Sequence, residues 1–156
     1  MLEMKRKYKI FILIFISITV LSLFWYLKPY TPMEEVEYIF KNTDVDIDEE
    51  NWLTFKPLGK ETNTGFIFYP GARVQPRAYA PLAHYIAESG YKVDSFYAIK
   101  LAVFVVNRAE SVMNRYEEIT YWVIGGHSLG GAMAARYAYN NSKKLSGLIL
   151  LASYPE

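Results

Sequence analysis

Residues 125–131 read Gly125-Gly126-His127-Ser128-Leu129-Gly130-Gly131 and contain the pentapeptide G-x-S-x-G. A serine hydroxyl is a weak nucleophile until the chain holds it clear of its neighbours and beside a base. A sharp turn between a strand and a helix does the first. The Oγ then stands off the sheet, with the positive end of the helix beneath it. Glycines two positions either side let strand and helix approach without Cβ collisions. Gly and Ser are also common loop residues, so the competing reading is a plain strand-to-helix turn. Context favours chemistry, because an apolar run, Tyr121–Gly125, precedes the motif and a run rich in small residues, Leu129–Asn140, follows it.

The segments that would position this serine alternate in type. Trp52–Leu58 alternates as a strand does, and Gly65–Tyr69 reads as a buried strand halted by Pro70-Gly71. Tyr79, Leu82, Ala83, Ile86 and Ala87 recur at helical spacing, with Gly90 placed as a C-terminal cap. Pro76 and Pro81 predict a turn before that helix and a late start to it. Tyr91–Phe96 reads as a short strand, and Leu101, Phe104, Val105, Ala109 and Val112 mark another helical face. Leu145–Ala152 reads as a buried strand. Strands alternating with helices predict an α/β fold with a parallel sheet covered on both faces.

With these residues the chain resembles the α/β-hydrolase superfamily, nearest to its small bacterial serine hydrolases and dienelactone-hydrolase-like branch. The likeness rests on Gly126-His127-Ser128-Leu129-Gly130-Gly131, on Tyr69-Pro70-Gly71-Ala72 at a strand end, and on Tyr79-Ala80-Pro81-Leu82-Ala83 in the first helix. It covers the chain from about Trp52 to Glu156. The resemblance implies an esterase-like, acyl-enzyme mechanism on a small-molecule acyl substrate, with neither cofactor nor metal. It gives Ser128 the role of nucleophile and the backbone N–H groups of Leu129 and Ala72 the role of oxyanion donors. Many relatives carry His-Gly where this chain has Pro70-Gly71, and an ordinary turn is the plain alternative there. Dienelactone hydrolases proper use a cysteine nucleophile, and this chain has no cysteine.

In that superfamily the triad acid and then the histidine follow the serine. The residues after Ser128 hold no histidine, and no acid except Glu156. The two histidines are His84, expected as a partly exposed helix residue, and His127, expected to turn its ring away from Oγ and pack. Beyond residue 51 the chain has 105 residues, against about 200–250 for a large α/β domain. It therefore reads as the N-terminal portion of a hydrolase, with the acid and histidine outside it.

Ile10–Leu27 carries no charge, and as a helix would span roughly 27 Å, close to a ~30 Å hydrocarbon core. Lys5, Arg6, Lys7 and Lys9 precede it, and only Lys28 and Lys41 follow before residue 51. The positive-inside rule then predicts a single-pass cell-membrane protein with a cytoplasmic N-terminus and an extracytoplasmic domain. Trp25 and Tyr26 sit where an interfacial anchor belongs. A cleaved signal peptide is the alternative, although the first alanine is Ala72 and no A-x-A cleavage pattern exists. Pro29–Asn51 sets Glu34, Glu35, Glu37, Asp44, Asp46, Asp48, Glu49 and Glu50 against Lys41 alone, and reads as a solvated spacer. Asp44-x-Asp46-x-Asp48 is no calcium loop, since Glu49 and Phe55 occupy the glycine and glutamate positions. The expected organisation is thus an anchor over 1–28, a spacer over 29–51 and a hydrolase domain over 52–156.

An apolar content of 52% with 21% charged residues excludes disorder over most of the chain, and a net charge of +1 offers nucleic acid no basic field. The absence of cysteine excludes disulfides, thiolate metal sites and cysteine-linked lipid. Three functions fit: a membrane-anchored serine hydrolase, a non-catalytic binding protein retaining the turn, and an acyltransferase on the same fold. A fluorophosphonate probe, which labels only an activated serine, separates the second from the others. Alcohol acceptors offered beside water separate the third from the first.

Overall fold

The computed structural model describes residues 2–41, 44–95 and 108–155. Helix α1 (Leu2–Tyr26) is exposed along its apolar length, and is long and apolar enough to cross a membrane. Strands β1 (Val45–Asp48), β2 (Leu53–Pro57), β3 (Thr64–Tyr69), β4 (Lys92–Ser95), β5 (Tyr121–His127) and β6 (Gly147–Leu151) form one sheet in the order β1-β2-β4-β3-β5-β6. Helices α2 (Ala80–Glu88), α3 (Arg108–Arg115) and α4 (Leu129–Asn140) complete the fold.

Alternation along β3 explains the two layers. Phe66 and Phe68 join Leu53, Phe55 and Val93 in a core that receives Ala80, Ala83 and Ala87 of α2. Ile67 and Tyr69 point the other way, into a core with Ala109 and Val112 of α3 and Ala134 and Tyr137 of α4. A strand buried on both faces must be apolar at every position, which is why 65–69 reads as a continuous run. Gly90 adopts φ +100° just past α2, as its capping position requires. The expected helical face Leu101–Val112 is only partly described: Ala109 and Val112 are fully buried in α3, and Leu101, Phe104 and Val105 lie outside the described residues.

The sheet is parallel across β4-β3-β5-β6, whereas β1 with β2 and β2 with β4 run antiparallel. Four residues join β1 to β2, too few for the crossover a parallel pair requires.

The acidic stretch 29–51 is not a solvated spacer. Its 3₁₀ turn Glu34–Phe40 buries Val36 and Ile39, and β1 pairs along its whole length with β2. Apolar residues threaded among the acids reach the core, while Arg77 binds Glu49 and Glu37 and offsets part of the charge.

Candidate active site

Strand β5 ends at His127, α4 begins at Leu129, and Ser128 makes the whole turn between them. Its φ of +53° and ψ of −125° are strained for any residue with a Cβ. Neighbours hold that geometry in place. Ser128 N–H donates to Leu151 O of β6 at 3.0 Å, and Ser128 O accepts from Gly131 N–H at 2.9 Å and Ala132 N–H at 3.2 Å. The side chain is exposed at the C-terminal edge of the sheet, at the positive end of a twelve-residue helix. Leu129 N–H belongs to the first turn of α4, where no carbonyl one turn earlier exists to accept it.

The glycines of the motif act by close approach. A Cβ on Gly126 would lie 2.5 Å from the Gly130 carbonyl carbon, and one on Gly131 would lie 2.5 Å from Ser153 Cβ. A Cβ on Gly130 would overlap the carbonyl oxygens of Tyr69 and Pro70. The start of α4 therefore rests directly on the backbone of the loop that follows β3. The structure thus brings together the two segments singled out from the sequence, Ser128-Leu129 and Pro70-Gly71-Ala72.

Loop 70–75 turns tightly. Val74 N–H donates to Gly71 O at 3.1 Å, and Arg73 adopts φ +63° inside the turn. Gly71 N–H donates to the Tyr79 hydroxyl at 3.0 Å, and that hydroxyl lies 2.9 Å from His127 Nδ1. Gly71 is consequently committed, whereas Ala72 N–H has no partner among the described residues. Burial raises the Tyr79 phenol above its ordinary range, opposed by its bond from Gly71. The sequence placed Tyr79 only on the apolar face of a helix. A tyrosine where phenylalanine would pack equally well was the one signal of its second role.

Among the described residues, neither histidine is hydrogen-bonded to Ser128 Oγ. His127 is half-buried and its Nδ1 faces Tyr79, which agrees with a ring turned aside. His84 lies on α2 with Nδ1 3.6 Å from Glu88 Oε2. The most deeply buried acid among the described residues, Asp94 of β4, is separated from β5 by β3. Its Oδ1 accepts from Thr54 Oγ1 at 2.7 Å and Trp52 Nε1 at 2.9 Å. Burial raises its carboxyl to about 6, opposed by those bonds and by Lys92 and Lys56.

A family model described as "Alpha/beta hydrolase family" matches residues 65–156, more than half of the chain. The chain belongs to the alpha/beta hydrolase family. Its hydrolase fold is similar to that of a hormone-sensitive lipase from a metagenome library, at TM-score 0.58 and 12% identity over 74% of this chain and 47% of that one. It is similar as well to a probable hydrolytic enzyme from Pseudomonas aeruginosa PAO1, at TM-score 0.53 and 16% identity over 69% of this chain and 41% of that one. The thioesterase domain from the curacin biosynthetic pathway aligns at TM-score 0.52 and 17% identity, over 70% of this chain and 46% of that one. The chain thus spans less than half the length of these hydrolase-fold structures. No curated protein sequence matches it.

Proposed function

We propose that the protein is a membrane-anchored serine hydrolase that cleaves acyl esters outside the cell. The observation that carries this reading is Ser128, exposed at a left-handed turn between β5 and α4, with the start of α4 resting on the loop that holds an uncommitted Ala72 N–H. In this reading Ser128 Oγ adds to the ester carbonyl, and the N–H groups of Leu129 and Ala72 take the negative charge that appears on oxygen. Loss of one such donor typically costs about 3 kcal/mol. Collapse expels the alcohol, which departs with the serine proton. Water then adds to the acyl-enzyme, releases the carboxylic acid and restores the hydroxyl.

The proton needs a carrier. Among the described residues no imidazole or carboxylate is hydrogen-bonded to Ser128 Oγ, and the family order places acid and histidine after the serine. We assign both to sequence beyond these 156 residues. Helix α1 serves as the anchor, and its basic N-terminal flank supports a cytoplasmic N-terminus.

Fluorophosphonate labelling of a longer, active form tests the reading. Covalent labelling that Ser128→Ala removes from a folded protein supports it. Labelling or turnover that survives the substitution, in protein free of contaminating esterase, overturns it. The missing base favours a second reading, a non-catalytic protein on the same fold, and a longer form that never labels would establish it.

A further inference from the structure

The end of α1 is fastened to the loop that flanks Ser128. Only Leu27–Pro29 separate the helix from Tyr30, whose N–H donates to Arg73 O and whose carbonyl accepts from Gln75 N–H at 3.1 Å. Tyr30 and Val74 pair as an isolated parallel bridge. The Arg73 guanidinium adds a third tie. It donates to Lys28 O at 3.1 Å and lies over the rings of Tyr26, at 4.4 Å, and Tyr30, at 4.9 Å. Arg73 is the residue after Ala72, in the same tight turn as Gly71.

This attachment has a direction. The C-terminal ends of the parallel strands β3, β5 and β6 lie at one edge of the sheet, and loop 70–75 and Ser128 belong to that edge. Asn63, whose carbonyl accepts from Thr120 and Tyr121, lies at the opposite edge. An anchor tied to the first edge turns it toward the bilayer. Leu129 and Tyr154 are exposed at this edge, and Trp25, Tyr26 and Tyr30 are exposed at the junction itself. Aromatic side chains of this kind settle at the depth of lipid headgroups.

We infer that the mouth of the Ser128 site opens at headgroup depth, and that its substrate is a membrane-resident amphiphile whose acyl ester is presented from the bilayer. This rests on the anchored serine hydrolase reading and adds the class of substrate to it.

The absence of cysteine makes the test direct. The 156-residue chain, carrying Ser128→Cys, Tyr154→Cys or Glu61→Cys singly labelled with an NBD fluorophore, is reconstituted into phosphatidylcholine vesicles with or without headgroup-nitroxide lipid. Flotation with the vesicles reports the anchor independently. The expected result is flotation of all three, loss of most of the fluorescence at positions 128 and 154, and little loss at 61. Equal quenching at all three sites, or none at 128 and 154, in a floating protein overturns the placement and leaves the anchor intact. Failure to float overturns the anchor reading and this inference together. In the same vesicles, a phospholipid bearing a diazirine beside its acyl ester should crosslink to residues 70–75 and 128–133. Adducts confined to α1 would overturn the amphiphile as substrate while leaving the serine reading to the fluorophosphonate test.

Discussion

The Tyr79 hydroxyl lies 2.9 Å from His127 Nδ1 and 3.0 Å from the Gly71 nitrogen, so one phenol joins the start of α2, the loop after β3 and the end of β5. An amide N–H can only donate, so the phenol oxygen accepts from Gly71, while the direction of its bond with Nδ1 follows the imidazole tautomer. Replacing Tyr79 by Phe leaves Gly71 N–H and His127 Nδ1 unpaired and should cost about 1–2 kcal/mol. Urea unfolding monitored by circular dichroism measures this, and nitrogen chemical shifts of His127 report the tautomer. An unchanged midpoint would mean that the bridge adds nothing to stability.

Ser128→Gly should separate strain from chemistry. Glycine adopts φ +53° freely, so the variant should gain about 1 kcal/mol in unfolding while losing any fluorophosphonate labelling. A less stable variant would show that the turn is not strained. The unsubstituted 156-residue chain should turn over p-nitrophenyl acetate only slowly, for want of a base bonded to Ser128.

Gly130→Ala drives a methyl group into the carbonyls of Tyr69 and Pro70, which are backbone and cannot swing aside. Overpacking of this kind costs about 1–3 kcal/mol. The accompanying shift of loop 70–75 should be visible as changed amide chemical shifts at Gly71 and Ala72. A wild-type spectrum would contradict the close contact.

Much of the site was legible because its constraints are local. Glycine at 126 and 130 and serine at 128 report a turn geometry that few other residues permit, and the apolar runs on either side name the elements. Strand β1 was hidden because charge masks alternation: Val45 and Ile47 face inward while Asp46 and Asp48 set the apparent character. Strand direction was hidden too, since period-two alternation in Trp52–Leu58 is the same for parallel and antiparallel pairing. The roles of Tyr79 and Arg73 depend on contacts with residues 48 and 45 positions away, which no window of sequence contains.

Asp94 predicts a pH dependence. Its carboxyl rises from 3.8 to about 6 on folding, so the folded state holds that proton more tightly than the unfolded chain. The stability it contributes is fully present below the unfolded value and is lost as pH rises through about 6, a change of at most about 3 kcal/mol. Asp94→Asn keeps an acceptor for Thr54 and Trp52 and removes the titration. Its unfolding free energy should be flatter than that of the parent between pH 4 and pH 6.5. Parallel profiles for the two proteins would assign the slope to other groups.

The proposed topology places residues 51–156 outside the cell. Protease added to intact spheroplasts should digest them while leaving a cytoplasmic marker whole. Protection until the membrane is ruptured would reverse the orientation.

Strand β4 lies between β2 and β3, and this sets an order of assembly. The two strands adjacent in sequence cannot pair with each other, and Phe55 must wait for Val93. At a synthesis rate of about 5–20 residues per second, the intervening stretch of about 40 residues takes roughly 2–8 seconds to appear. Throughout that interval the β1–β2 hairpin presents Leu53 and Phe55 on an unpaired edge, a template for pairing with other chains. A holding chaperone would act in this window, and its binding segment would centre on residues 53–57.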